Sequence, residues 1–221
     1  MQLPGAAPHV ATLPPVTGAV LDALGEGGIS LRVRPMPATA ATTELDTSHT
    51  LPEDAAERFE QQGFIRLSGV LSPETIAAYE PEITSKIREL NTQHVPLAER
   101  DTYGKAFLQV SNVWRHSERI REMVFSQRLA RIAAELMGVE AVRLYEDQAL
   151  YKEPSGGITQ WHADPYYWPL VSDCICTVWI PLQEMPLEMG PLVFVAGSHT
   201  FSCGRDMEIG DTGEAALQQA R

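Results

Sequence analysis

A histidine and an aspartate stand two positions apart in the segment Trp161-His162-Ala163-Asp164. In extended backbone alternate side chains point to the same side, so His162 and Asp164 would aim at one point while Ala163 turns away. An imidazole and a carboxylate in this arrangement are two of the three ligands of a 2-His-1-carboxylate site for non-heme Fe(II). The spacing therefore predicts part of an iron site. A hydrogen-bonded pair at the end of a strand is the alternative that the spacing alone also allows.

Large aromatic residues flank this pair in the chain. Trp161 precedes it, and Tyr167 and Trp168 follow it closely. Small-molecule pockets are lined mainly by apolar and aromatic side chains. We therefore predict that Trp161, Tyr167 and Trp168 line a substrate pocket, with positions in the hydrophobic core as the alternative.

Three segments around the pair have the composition of β-strands. Residues 142–152, 174–182 and 191–195 are rich in β-branched and aromatic residues, and glycines and prolines separate them. Alternation in the first segment would place Gln148 and Lys152 on one face. Several short strands separated by turn residues are typical of a sandwich or a jelly roll.

Helical patterns precede these strands. Prolines and serines mark the predicted helix starts, glycines mark two of the predicted ends, and a short strand is expected at residues 64–70. The predicted helices run from Pro52 to Gly63, from Ser72 through a kink at Pro81 to Leu90, and from Ser117 past a break near Ser126 to Gly138.

Several short motifs follow one another in a characteristic order. They are Leu150-Tyr151-Lys152-Glu153-Pro154, Trp161-His162-Ala163-Asp164, Thr177-Val178-Trp179-Ile180-Pro181-Leu182, Gly190-Pro191-Leu192 and Gly197-Ser198-His199. In this order they resemble the phytanoyl-CoA dioxygenase family of Fe(II)- and 2-oxoglutarate-dependent oxygenases. The resemblance extends over about residues 50 to 210.

The resemblance implies a fold and a set of site residues. The fold would be a double-stranded β-helix, a cupin-like jelly roll with a mainly β core in an α+β chain, buttressed by the N-terminal helices. His162 and Asp164 would be iron ligands, and Lys152, Trp179 and Gln148 would belong to the 2-oxoglutarate site. The ordinary alternatives are a solvated lysine at a strand end for Lys152 and a core position for Trp179.

The resemblance also implies an activity. The protein would be an enzyme, a dioxygenase that uses Fe(II), O2 and the co-substrate 2-oxoglutarate, with ascorbate as a supporting reductant. It would hydroxylate an unactivated C–H bond of a small hydrophobic or natural-product-like molecule while 2-oxoglutarate is converted to succinate and CO2. Desaturation and ring formation stay open as other outcomes.

The family pattern also requires a distal histidine and a later arginine. After Asp164 the only histidine is His199, which matches a turn motif of the family, and the polar residues 210–221 suggest a loop or a helix. We therefore expect residues 51–221 to form an oxygenase domain that lacks its last strands, and residues 1–50, rich in Pro, Ala, Gly and Thr, to be a disordered tail.

The missing motif keeps two other classes of protein open. One is a truncated or degenerate relative that binds no iron and serves as a scaffold or interaction module. The other is a cupin-like protein that binds a metal or small ligand, although Lys152 and Trp179 argue against it. Cys174, Cys176 and Cys203 are expected to be buried, reduced thiols rather than ligands of a thiolate metal site.

Composition excludes some partners. The formal net charge of -12 and a pI of about 4.9 argue against a nucleic-acid partner, because binding to phosphate backbones needs clustered Lys and Arg. No apolar run approaches the roughly 20 residues of a membrane span, and no signal peptide is recognisable, so we expect a cytoplasmic protein with a small-molecule substrate. No pattern indicates an oligomeric state.

Overall fold

The computed structural model describes residues 43–219 apart from Ser155, Pro169, Asp173 and Cys203. The helices are α1 Ala55–Gln62, α2 Pro73–Leu90, α3 Glu118–Val124, α4 Gln127–Leu136 and α5 Asp211–Gln219, and the strands are β1 Leu108–Ser111 and β2 Gln148–Tyr151. Short 3-10 helices lie at Glu44–Asp46, Leu97–Glu99, Val113–Arg115, Asp164–Tyr167, Leu187–Met189 and Ser198–Thr200.

The tail that the sequence predicted as disordered is described only in its last part. Residues 1–42 lie outside the described residues. Within residues 43–50, Leu45 is buried in the main hydrophobic cluster. This stretch therefore belongs to the packed part of the chain.

Three of the four ends of the first two helices lie where the sequence predicts them, and the exception is the start of α1, which lies at Ala55 instead of Pro52. Gly63 follows α1 with a φ of 80°, the left-handed conformation in which a helix commonly ends at glycine. The Ser72 hydroxyl accepts a hydrogen bond of 3.1 Å from the Thr75 amide at the start of α2. Pro81 lies inside α2, which continues to Leu90.

The predicted break in the third helical stretch is also confirmed. Its two parts are α3 and α4, each of which begins after a capping serine. The hydroxyls of Ser117 and Ser126 accept hydrogen bonds of 3.3 Å from the amides of Ile120 and Leu129. The Ser126 cap satisfies an amide of the first turn of α4, so α4 begins there as a separate helix.

The hydrophobic core lies between α2, α3 and the small sheet. Ile83 and Ile87 of α2 pack in one cluster with Ile120 of α3 and Ala149 of β2. The apolar positions of α2 and α3 recur at helical spacing, so each helix turns one buried face toward the other. A smaller cluster lies between α1 and α4.

The sheet contains two antiparallel strands in the part of the chain that the structure describes. Leu108 pairs with Tyr151 at one end of the register and Ser111 with Gln148 at the other. The strand predicted over residues 142–152 is therefore correct only over β2. Ala149 packs into the core while its neighbours Gln148 and Leu150 are exposed, as alternation requires.

The other predicted strands differ from the structure. Residues 64–70, 174–182 and 191–195 are described, but none of them is assigned as a strand. A strand requires hydrogen bonds to a neighbouring strand as well as a suitable composition. The composition of these segments is suitable, and the strand pairing is not found within the described residues.

Candidate active site

The His162 and Asp164 side chains converge in the structure. Ala163 between them is extended, with φ -118° and ψ 118°, and Asp164 begins a 3-10 helix. His162 Nε2 lies 3.1 Å from Asp164 Oδ1, and the two side chains are 27% and 47% exposed. An extended residue between them is enough to bring their side chains to one point, although no strand is assigned there.

The second ring nitrogen of His162, Nδ1, contacts a main-chain carbonyl. His162 Nδ1 lies 2.8 Å from the carbonyl oxygen of Gln160. Burial lowers the pKa of His162, but hydrogen bonds with Asp164 and the Gln160 carbonyl, together with the Asp164 charge, outweigh it and raise the pKa overall. With Nδ1 donating to a carbonyl, Nε2 is the nitrogen left to bind a metal ion, an arrangement common for histidine ligands.

Helix α5 contacts the residues just before His162. Gln160 is only 4% exposed, and its side-chain Nε2 donates a hydrogen bond of 2.9 Å to Asp211 Oδ1. The Trp161 amide donates to Glu214 Oε2 over 2.5 Å. Both acceptors lie in the first turn of α5.

A turn of the helical part of the chain packs beside the same segment. The Gly157 amide donates to the Lys105 carbonyl over 2.5 Å, so the two backbones approach closely. Burial raises the pKa of Tyr103 in this turn, and the charges of Tyr167 and Asp164 raise it further. Tyr103 therefore lies close enough to Asp164 for the two groups to interact electrostatically.

The three residues predicted for the 2-oxoglutarate site have different surroundings in the structure. Lys152 Nζ donates to the Gly157 carbonyl over 3.3 Å. Gln148 Oε1 accepts a hydrogen bond of 2.9 Å from Gln109 across the sheet. Trp179 is 40% exposed. These contacts do not join the three residues to the His162–Asp164 pair, and their role in cofactor binding stays a prediction.

The three predicted pocket aromatics differ in burial. Trp161 and Trp168 are partly buried, whereas Tyr167 is exposed. The Tyr167 ring meets that of Tyr166 edge to face, with centroids 4.8 Å apart. The Tyr167 hydroxyl also accepts a hydrogen bond of 2.6 Å from the Ile209 amide. Lining of a substrate pocket by these residues stays a prediction.

His199 contacts the end of α1. Its Nε2 lies 3.0 Å from the Glu60 carbonyl in the last turn of α1. The Gly197 amide donates to the Gln62 carbonyl over 2.8 Å. The turn at residues 197–199 thus satisfies carbonyls at the end of α1, and His199 packs so closely on Gly63 that a Cβ there would lie 2.3 Å from its Nδ1.

The described part of residues 43–219 contains no third side chain that could bind a metal ion together with His162 and Asp164. Among the described side chains, no three of the types His, Cys, Asp and Glu form a group that could hold a metal ion.

Cys174 and Cys176 are free thiols in the described part of the chain, and Cys174 is exposed, so its predicted burial is wrong. Cys203 lies outside the described residues. Burial and the nearby Cys174 thiol raise the pKa of Cys176, which favours its neutral form.

Comparison with known families decides the relationship that the motifs indicated. The family of phytanoyl-CoA dioxygenase (PhyH) matches residues 59–217, which is most of the chain. The chain belongs to the phytanoyl-CoA dioxygenase family. The predicted resemblance is therefore confirmed, and the matched range contains both the His162–Asp164 pair and the turn at His199. Proteins of the phytanoyl-CoA dioxygenase family in general have a cupin-type jelly-roll fold.

The chain of this phytanoyl-CoA dioxygenase family protein is also similar to a curated protein whose name states an activity. It is the "Probable alpha-ketoglutarate-dependent hypophosphite dioxygenase" of Stutzerimonas stutzeri, 24% identical over 148 residues. The match covers 62% of the present chain and 50% of the relative, so the chain spans about half the length of that protein. No solved structure matches the chain.

The structure brings residues next to His162 that the sequence did not single out. Gln160, Asp211 and Glu214 are such residues, because they bind the backbone and side chains next to His162. The only sequence signal was the polar stretch at residues 210–221, which suggested a loop or a helix but no partner.

In the described part of the chain, no helix combines the length and the apolar character needed to cross a bilayer.

Proposed function

We propose that this phytanoyl-CoA dioxygenase family protein is an Fe(II)- and 2-oxoglutarate-dependent dioxygenase in which His162 and Asp164 are two of the iron ligands. The observation that carries the proposal is the convergence of His162 Nε2 and Asp164 Oδ1 at 3.1 Å while the Gln160 carbonyl occupies Nδ1. One imidazole and one carboxylate fit two corners of a facial triad. The family match and the name of the relative support the reaction class.

The residues of the chain have distinct proposed tasks at this site. A bound Fe(II) ion would supply the redox chemistry through which O2 and 2-oxoglutarate oxidise a substrate. His162 and Asp164 would hold the ion, with Asp164 contributing negative charge. Lys152 would pair with a carboxylate of 2-oxoglutarate, a charge-assisted contact that strengthens as water is excluded. Trp179 and Gln148 would complete that site.

The aromatic residues next to the pair would shape the substrate site. Trp161, Tyr167 and Trp168 would limit access of water and present flat apolar surfaces to a small molecule. We propose hydroxylation of a C–H bond in a hydrophobic or natural-product-like substrate as the outcome. The name of the relative points to a second class, a small phosphorus oxyanion oxidised at a P–H bond. A substrate screen should therefore contain both classes.

The proposal includes a jelly-roll fold for this domain, with residues 174–182 and 191–195 as strands. Its support is the fold of the family and the exposure of apolar side chains in these segments, including Val178, Val193 and Phe194. Apolar residues on paired strands would be covered by a facing sheet. Amide hydrogen exchange would test this part: protected amides in both segments are expected, and rapid exchange throughout would contradict it.

The decisive experiment is an anaerobic titration of the chain with Fe(II) and 2-oxoglutarate. A weak visible charge-transfer band is expected when the keto acid chelates the iron. His162→Ala and Asp164→Ala should each abolish the band, because each removes a ligand. His116→Ala and Asp206→Asn are matched controls at exposed positions and should leave the band unchanged.

Each other outcome favours a different class of protein. A folded chain without a band would favour a degenerate relative that serves as a scaffold or interaction module. Metal binding that depends on His162 but does not respond to 2-oxoglutarate would favour a cupin-like binding protein. A band that survives Asp164→Ala would remove Asp164 from the ligand set.

A further inference from the structure

The first turn of α5 contacts the segment that leads into the His162–Asp164 pair. Asp211 and Glu214, which we call the acid clamp, accept hydrogen bonds from the Gln160 side chain at 2.9 Å and from the Trp161 amide at 2.5 Å. Gln160 and Trp161 immediately precede His162 in the chain. The clamp therefore acts on the backbone that carries the proposed ligand.

Gln160 transmits this contact to the imidazole. Its carbonyl oxygen lies 2.8 Å from His162 Nδ1, and the residue as a whole is only 4% exposed. Of the two side-chain amide atoms, Nε2 binds Asp211 while the buried Oε1 has no hydrogen-bond partner among the described residues. Turning the amide over would point Oε1 at the Asp211 carboxylate, acceptor against acceptor, so Asp211 sets its orientation.

A contact on the other side of the pair also comes from the chain leading into α5. The Ile209 amide donates to the Tyr167 hydroxyl over 2.6 Å, and Tyr167 ends the 3-10 helix that Asp164 begins. The chain around the start of α5 thus binds the segment both before His162 and after Asp164. These contacts limit the movement of the two side chains relative to each other.

We propose that Asp211 and Glu214 are positioning residues that, through Gln160 and the Trp161 backbone, hold His162 with Nε2 directed toward the metal. This inference rests on the proposed function, because it assigns the clamp a task at the same metal site. Hydrogen bonds behind a histidine ligand fix its ring orientation, and removing such partners commonly costs metal affinity. In this role the two acids would not be ligands of the metal themselves.

The test uses the full chain with two alanine variants, their conservative counterparts and one control. Asp211→Ala and Glu214→Ala remove the acceptors, whereas Asp211→Asn and Glu214→Gln keep an acceptor oxygen and lose the charge. Asp206→Ala removes an exposed carboxylate just before α5 and matches the change in net charge. Thermal unfolding of each variant establishes that it is folded.

The first readout needs no metal. Hydrogen exchange of the Trp161 amide, followed by NMR, should accelerate in Glu214→Ala and stay close to that of the wild type in Glu214→Gln and Asp206→Ala. Unchanged exchange in folded Glu214→Ala would overturn the clamp, because it would show that the contact does not hold this backbone.

The second readout is the affinity for Co(II), a spectroscopic substitute for Fe(II). Asp211→Ala and Glu214→Ala should each weaken binding about 10-fold. Asp211→Asn and Glu214→Gln should bind within about twofold of the wild type, since the acceptors are retained. Equal losses in Asp211→Ala and Asp211→Asn would overturn the proposal in favour of a simple charge effect.

The two proposals fail in different ways. A wild-type chain that binds no Co(II) would overturn the proposed function and with it the positioning role, even if amide exchange confirmed the contacts. A wild-type chain that binds Co(II), together with alanine variants that bind it equally well, would overturn the acid clamp alone.

Discussion

The helical region of residues 43–138 and the site segment of residues 156–210 differ in how they bury apolar side chains. In the helical region Ile87 is 2% exposed and Val113 is completely buried. In the site segment Val193 is 64% exposed and Val171 is fully exposed. The first region forms a closed core, and Ile180 and Leu182 of the site segment pack against it, whereas many other apolar side chains of the site segment are exposed.

The difference follows from where each kind of backbone finds its hydrogen bonds. A helix satisfies its backbone internally and needs a partner only for one face, so α2 and α3 form a core with each other and the small sheet. Extended chain needs partner strands for its backbone as well. The helical region therefore should dominate the stability of the chain, and the site segment should carry its chemistry.

The largest expected contrast comes from shortening one side chain in each region. Ile87→Ala opens a cavity in the core and should lower the free energy of unfolding by about 3 kcal/mol. Val171→Ala, at a fully exposed position, should change it by less than about 0.5 kcal/mol. Urea denaturation measures both. Similar losses in the two variants would break the comparison, since they would place a stabilising core in the site segment.

A second contrast uses the buried arginine of α4. Arg128 donates hydrogen bonds of 3.1 Å to the Thr47 carbonyl and 2.7 Å to the Val70 carbonyl, and it pairs with Glu44 at 3.2 Å. Arg128→Leu removes the Arg128 hydrogen bonds to the two carbonyls and should cost about 2 kcal/mol of unfolding free energy. The neighbouring Arg131→Leu should cost less than about 0.5 kcal/mol. Equal costs in denaturant titrations would contradict this role of Arg128.

Gly63 joins the two regions and gives the third prediction. Gly63→Ala places a Cβ in the left-handed conformation and against the His199 ring, so it should cost about 2 kcal/mol in thermal or urea unfolding. Gly138→Ala is the matched control, because its φ is +64° and, apart from its chain neighbours, no atom of the described residues lies within 4 Å of the added Cβ. It should cost about 1 kcal/mol, the backbone part alone.

The excess cost at Gly63 should depend on the partner side chain. His199→Ala removes the ring but keeps the His199 Cβ, which lies 2.8 Å from the added Cβ, so the excess cost of Gly63→Ala should fall in that background without disappearing. An undiminished excess would show that the contact between α1 and the turn at residues 197–199 does not link the two regions.

The smallest expected effect is a pH dependence confined to the helical region. Hydrogen bonds from Thr75 and Ser72, together with the charge of Arg128, hold the pKa of Glu44 below its usual range. The stabilisation is therefore present at neutral pH and is lost as the pH falls below about 4.3, where unfolded glutamate binds protons. For this partly exposed group it should amount to less than about 1 kcal/mol.

Unfolding free energies of the wild type and Glu44→Gln between pH 7 and pH 3 measure this contribution. The difference between the two proteins should shrink toward low pH. A difference that stays constant over this range would exclude titration of Glu44 as its source.

The sequence predicted local features correctly where one residue decides the geometry. Gly63 ends α1, Ser72 begins α2, and Ser126 separates α3 from α4, because backbone conformation and capping depend on those residues alone. The strand predictions over residues 174–182 and 191–195 do not appear as strands within the described residues. Composition shows that a segment suits a strand but not which segment would pair with it.

The candidate site shows the same division. The spacing of His162 and Asp164 by itself directed two donor groups to one point, because the geometry of a single extended residue is a local property. Only the tertiary structure decided that Gln160, Asp211 and Glu214 stand behind His162 and that His199 packs on α1. Contacts between residues some 50 or more positions apart depend on how the elements pack, and no short segment of sequence contains that information.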